Sequence, residues 1–209
     1  MLGRFSMPIL KRFYVKPREV ARLTQMKMIW EIPSLINLKQ HKEFLLANEH
    51  QLPPHIIAFD LGTIAYLDCP RDEHWPEIVQ LLKRHIKTFD RNVANMLGLI
   101  GKSMGDLEEA NEEFWEIMET KLVKENLSRY LTEADAANLM LSLYKVGRGS
   151  DELWQRLENE VSMHYLALKP ELLKTAIFAL EVSSKGKKET IEKLKGYLDE
   201  CEQQLQITA

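Results

Sequence analysis

The sequence predicts an all-α fold: a right-handed α-solenoid of about four helical hairpins, with a helical N-terminal cap and an extended basic N-terminal arm. Three observations carry that expectation. Trp75, Trp115 and Trp154 recur 40 and 39 residues apart, each opening an apolar frame of the form Trp-x-x-[Ile/Met/Leu]-x-x-x-[Leu/Val]. The frames are Trp75, Ile78, Leu82; Trp115, Met118, Leu122; Trp154, Leu157, Val161; and, 37 residues further on, Ile191, Leu194, Leu198. Self-similarity at this period marks stacked helical units, none of which can bury its apolar face alone. Helix-start residues fall in phase with the frames, and an apolar residue followed by a small one recurs ahead of each.

Met1 to Met28 form a basic N-terminal arm or mitochondrial targeting segment. They carry Arg4, Lys11, Arg12, Lys16, Arg18, Arg22 and Lys27 against Glu19 alone, among apolar residues such as Leu2, Phe5, Leu10 and Phe13. An arginine-rich, acid-poor, partly amphipathic leader is drawn into mitochondria by its charge. Arg12-Phe13-Tyr14-Val15 looks like a matrix-processing site, cut after Tyr14. The alternative is a retained arm, in which Arg4, Lys11, Arg12, Lys16, Arg18 and Arg22 bind a partner.

Residues 29–51 are expected to be a capping helix. Ser34 is a candidate N-cap, Leu35 to Leu46 supply apolar positions, and Leu52-Pro53-Pro54 stops the helix. Residues 52–209 form the helical-repeat domain. Its first helices are expected at about 55–67, 90–102, 132–146 and 170–182, started by Pro54, by Asp90 as N-cap, by Thr132 with Asp135 as a capping box, and by Pro170. They align as Leu61-Gly62, Leu97-Gly98, Leu141-Ser142 and Phe178-Ala179, where the small residue admits a neighbouring helix. The turns at 68–74, 103–111, 147–151 and 183–188 hold Gly and Pro breakers, so Gly147-Arg148-Gly149 reads as a turn and not a nucleotide loop. Each second helix carries a Trp frame, which places Trp75, Trp115, Trp154 and Ile191 in the structural core.

The motif Asn138-Leu139-Met140-Leu141-Ser142-Leu143-Tyr144 followed by Leu153-Trp154-x-x-Leu157 resembles the helical-hairpin repeats of mitochondrial and chloroplast RNA-associated proteins, the FAST-type and octotricopeptide-type families. The resemblance covers residues 52 to 205. It implies an organellar helical-repeat protein. Those arrays are commonly basic, whereas here the arm has a surplus of six positive charges, so the −3 of the whole chain leaves −9 on residues 29–209. An acidic body is repelled by phosphate backbones, which turns the expected ligand from nucleic acid to protein.

Nothing amounts to catalytic machinery, so the chain is read as a non-enzyme without cofactor or metal. Cys69 and Cys201 are too few for a zinc site or a disulfide framework, and the six histidines form no i, i+4 pair. Glu108, Glu109, Glu112, Glu113, Glu116 and Glu119 cluster around Trp115, and Lys185, Lys187 and Lys188 make a basic turn; both suit solvated surfaces. The tryptophans are read as core and not as base-stacking platforms.

The function expected is therefore a non-catalytic scaffold or accessory subunit of a large mitochondrial assembly, in the matrix or on the matrix side of the inner membrane. An inner-membrane energy complex, ATP synthase or respiratory chain, is preferred over the ribosome because ribosomal proteins are generally basic. Its partners would be protein subunits, with peripheral membrane or lipid-headgroup contact as a further option. The alternative is an organellar RNA-binding or mitoribosome-associated helical-repeat protein.

Overall fold

The computed structural model describes residues 45–47, 49–51, 57, 61 and 75–208, with the side chains of Gln51, Trp75 and residues 205–208 outside that description. The chain divides into two compact units, Met1–His41 and Lys42–Ala209, and the described residues all belong to the second. The basic arm, most of the capping segment and most of the first helix expected at 55–67 lie outside the described residues.

Every regular element among the described residues is helical, and the class is all-α. We number the α-helices α1 (Trp75–Ile86), α2 (Ala94–Asp106), α3 (Glu112–Glu119), α4 (Glu133–Val146), α5 (Asp151–His164), α6 (Pro170–Val182) and α7 (Lys188–Thr208). A π-helical turn, Thr120–Lys124, prolongs α3, and 3-10 turns at Leu127–Tyr130 and Tyr165–Ala167 lead into α4 and α6. Helix α2 packs on α4, α4 on α6 and α6 on α7; α1 meets α3, and α5 meets both the turns that follow α3 and α7.

The 39- and 37-residue spacings of the Trp frames also govern the backbone. The N-caps of α2, α4 and α6 are Val93, Thr132 and Lys169. Each of these helices is followed by a residue in the left-handed region, Glu108 (φ 51), Gly147 (φ 65) and Ser184 (φ 55), seven residues ahead of Trp115, Trp154 and Ile191 respectively. Only the middle copy uses glycine, the residue that adopts this conformation without steric cost. Behind it, Arg148 N–H donates to the Leu143 carbonyl and Gly147 N–H to that of Tyr144, which satisfies the end of α4.

Burial repeats in the same register. Leu97, Ala136 and Leu173 are buried at one level, Ile100, Leu139 and Ala176 at the next, then Ser103, Ser142 and Ala179, then Met104, Leu143 and Leu180. This corrects the alignment expected for α2. Leu141-Ser142 and Phe178-Ala179 do correspond, but their counterpart is Lys102-Ser103 and not Leu97-Gly98, five residues earlier. The same displacement appears at the start of the helix. Asp90 does not cap it; its carboxylate accepts from Asn92 N–H and Asn92 Nδ2 in a local turn, and the helix begins at Ala94 after Val93, which makes no side-chain cap. An Asp can satisfy a neighbouring backbone in a turn as readily as at a helix start. The helix also continues to Asp106, so the turn expected at 103–111 is confined to 107–111.

Glycines set the spacing between α2 and α4. A Cβ on Gly98 would lie 2.5 Å from Asp135 Cβ, one on Gly101 2.5 Å from Leu139 Cδ1, and one on Gly105 2.2 Å from Ser142 Cβ. The Ser142 hydroxyl donates to the Asn138 carbonyl of its own helix at 3.0 Å and lies 3.4 Å from the Lys102 carbonyl of α2. At the other end of α4 the capping box forms: Asp135 N–H donates to Thr132 Oγ1, and Thr132 N–H donates to the Asp135 carboxylate, both at 3.0 Å. Pro170 occupies the first turn of α6, where its missing N–H costs nothing.

Candidate functional site

The polar chemistry concentrates where one second helix (α3, α5, α7) meets the next, and it recurs from copy to copy. Trp115 and Trp154 are each the fourth residue of their helices and are 4% and 3% exposed. Each indole N–H reaches back six residues to a loop carbonyl, Trp115 to Glu109 at 2.8 Å and Trp154 to Arg148 at 3.4 Å. The N-caps beside them match as well: Asn111 Oδ1 accepts from Phe114 N–H, and Ser150 Oγ from Leu153 N–H. Each ring thus fills the core and ties the preceding turn to its helix. Ile191, the third counterpart, has no side-chain donor and is half-buried, while Leu194 one turn on is fully buried.

Two contacts then join consecutive copies. The acid at the first position of one second helix pairs with the base after the left-handed residue of the next copy: Glu112 with Arg148 at 3.2 Å, and Asp151 with Lys185. An acid seven residues further along accepts from the backbone N–H that caps the following second helix. Glu119 accepts from Ser150 N–H at 3.4 Å, and Glu158, itself 2% exposed, from Lys187 N–H at 3.1 Å. Equivalent members of these contacts are separated by the repeat spacings, the acids by 39 residues and the groups they hold by 37. Between α1 and α3 the described residues place Lys83 2.6 Å and Lys87 3.9 Å from Glu113.

A cavity of about 150 Å³ opens at the α3–α5 joint, lined by Glu112, Trp115, Glu116, Glu119, Arg148 and Gly149 with Leu143. The equivalent cleft at the next joint is wider, about 490 Å³, and is lined by Asp151, Trp154, Ser183, Ser184 and Lys185. The acidic block is thereby divided. Glu109 lies in the loop before α3 and not on the helical face with Glu112, Glu113 and Glu116; Glu113 turns to α1, while Glu112 and Glu119 serve the following copy. The lysine turn is divided too, since Lys185 and the Lys187 backbone are held by α5 and Lys188 lies 3.7 Å from Glu192.

Charge pairing shifts several carboxyls in one direction. Burial opposes ionisation of Asp106, but hydrogen bonds from Lys102 and from Lys145, the latter at 2.7 Å, outweigh it and hold the group below the usual carboxylate range. Glu113 is held low by its hydrogen bond from Lys83. At Glu49, burial is again outweighed, here by hydrogen bonds from Arg84 at 2.7 Å and His85 at 2.8 Å. On α7, the Glu202 carboxylate at 2.7 Å raises Lys174.

Arg4, Lys11, Arg12, Lys16, Arg18 and Arg22 lie outside the described residues. The Trp75 backbone opens α1, and its ring is likewise outside the description. Among the described residues no group of three or more His, Cys, Asp or Glu is placed to hold a metal ion, and no helix is long and apolar enough to cross a membrane. On the first-helix side, Tyr144 and Phe178 stack edge to face at 5.9 Å while 40% and 49% exposed, and Val182, four residues after Phe178 on α6, is 40% exposed. Sequence reasoning missed both inter-copy contacts. The acids were visible, but half of their partners are backbone N–H groups, which no residue type reveals. No protein-family model matches the chain, and no curated protein matches it.

Proposed function

We propose that the chain is a non-catalytic accessory subunit of a large mitochondrial assembly, most consistent with an inner-membrane energy complex, ATP synthase or respiratory chain. It would act as a right-handed helical-hairpin solenoid, of the kind its resemblance to FAST-type and octotricopeptide-type repeats implies. The observation that carries the scaffold reading is the recurrence of the same indole bond, acid–base pair and N-cap contact at 39- and 37-residue intervals. Units joined by identical contacts hold their neighbours at a fixed angle, and an array of this kind presents a broad, stiff surface. The acidity of residues 29–209 favours protein subunits over nucleic acid as the partner. In this reading the basic arm supplies the import signal and, where retained, a further contact with the partner.

The test is native separation of tagged protein from mild-detergent extracts of mitochondria, with and without nuclease. Co-migration with a high-mass protein complex, unchanged by nuclease, is expected. Free migration, or a mass lost on nuclease treatment, would replace this reading with the RNA-binding one. Mapping the mature N-terminus bears on the arm, since a chain beginning at Val15 would have lost Arg4, Lys11 and Arg12 and would rule out an uncleaved signal docked on a partner.

A further inference from the structure

The joints between second helices have a direction. One side presents two carboxylates, and the next copy brings a basic side chain and a backbone N–H to them. Followed along the repeat, the first acceptor position runs Glu112, Asp151, Lys188, and the second runs Glu119, Glu158, Lys195. Both positions change sign in the last copy. Their side chains are used within the terminal helix pair: Lys195 meets Glu181 of α6 at 2.6 Å, and Lys188 lies 3.7 Å from Glu192.

Other features set α7 apart from α3 and α5. It runs to Thr208, seven residues past Cys201, the counterpart of the α5 terminus at His164. Its residues Glu192, Lys193, Lys195, Gly196, Asp199 and Glu200 are exposed. Gly196 has open space where a Cβ would stand, unlike the α2 glycines that face α4.

We infer that Lys188 and Lys195 form an electrostatic stop: they reverse the two acceptor charges of the joint, so the exposed face of α7 rejects a further hairpin of this chain's own pattern, whether in the same chain or in a second copy. A base arriving at the first position meets an ammonium where inner copies offer a carboxylate. An N-cap N–H arriving at the second position finds no acceptor, since an ammonium only donates. A like charge and an orphaned donor act as repulsive elements, the means by which interfaces exclude wrong partners. The inference rests on the repeat reading proposed above and goes beyond it, because an array could equally end in a merely hydrophilic helix.

The test extends the full chain. Residues 1–201 are followed by a second copy of 165–208, placing a new helix pair where the next copy would dock, and amide hydrogen exchange is followed in the added helices. With Lys188 and Lys195 in place, the added segment is expected to exchange as undocked chain. With Lys188→Asp and Lys195→Glu, its protection is expected to rise at least tenfold. Equal protection in both chains, or none in the reversed one, overturns the stop. A second arm keeps the test independent of the extension. In the natural chain, Asp151→Lys is expected to lower protection across 170–204, and Lys185→Asp in that background to restore it. If Asp151→Lys leaves protection unchanged, the acid–base pair does not govern docking and the inference fails, while the repeat reading stands on the remaining contacts.

Discussion

Replacing Trp154 by alanine isolates what one indole does for the fold. The ring is 3% exposed, its N–H is given to the Arg148 carbonyl, and Gly149 stands so close that a Cβ there would lie 3.0 Å from Nε1. Truncating a buried Trp leaves a cavity and costs about 3 to 5 kcal/mol, to which the hydrogen bond contributes about 0.5 to 1.5 kcal/mol. For a chain of this size, about 2 to 4 °C per kcal/mol gives a fall in Tm of roughly 6 to 20 °C. Trp154→Phe keeps most of the volume and loses only the donor and one ring, so about 1 to 2 kcal/mol is expected. Urea unfolding followed by circular dichroism measures both. Hydrogen exchange should place the loss at α5 and the turn before it. A cost below about 1 kcal/mol for the alanine variant would refute the argument, because it would mean that the ring neither fills the core nor anchors the turn.

Two glycine substitutions should move stability in opposite directions. Gly105→Ala forces a methyl to 2.2 Å from Ser142 Cβ and 2.5 Å from its Cα, so overpacking of about 1 to 3 kcal/mol should exceed the gain in helix propensity. Gly196→Ala meets nothing within 4 Å and should stabilise by about 0.5 to 1 kcal/mol; thermal melts of the pair decide the matter. Thr132→Ala removes the capping-box oxygen that accepts from Asp135 N–H, at a cost of about 1 kcal/mol in a denaturant titration. Asp106 is held below its unfolded value, so its contribution is present above about pH 4 and is lost as pH falls through the lower, folded value. Stability of Asp106→Asn measured against pH should therefore be flatter in that acid window than that of the natural chain, and an unchanged slope would remove Asp106 from the account.

Much of the helical pattern was legible because its signals are local. Thr132 with Asp135, Pro170 and the Trp frames act within a few residues of themselves, and each stands where its spacing puts it. What was not legible depends on backbone. Of the three left-handed residues that end the first helices, only Gly147 announces itself, since Glu108 and Ser184 adopt the same φ without the residue type that usually marks it. Asp90 misled for a related reason. Its carboxylate suits a turn and a helix start equally, and with α2 displaced, the likeness of Leu97-Gly98 to Leu141-Ser142 set the wrong register. Glu112 and Glu119 read as solvated charge, and nothing singled out Asp151 or Glu158, because the groups these acids hold arrive from one repeat further along.

The contacts that link successive units among the described residues have a mechanical corollary. Tension applied at the C-terminus would load the joint of α7 to α5 before any other, because Lys187 N–H on Glu158 and Lys185 on Asp151 connect that unit to the one ahead. The molecule should then pay out in even instalments of 37 and 39 residues, each release leaving the remainder intact, like a ladder losing rungs from the bottom.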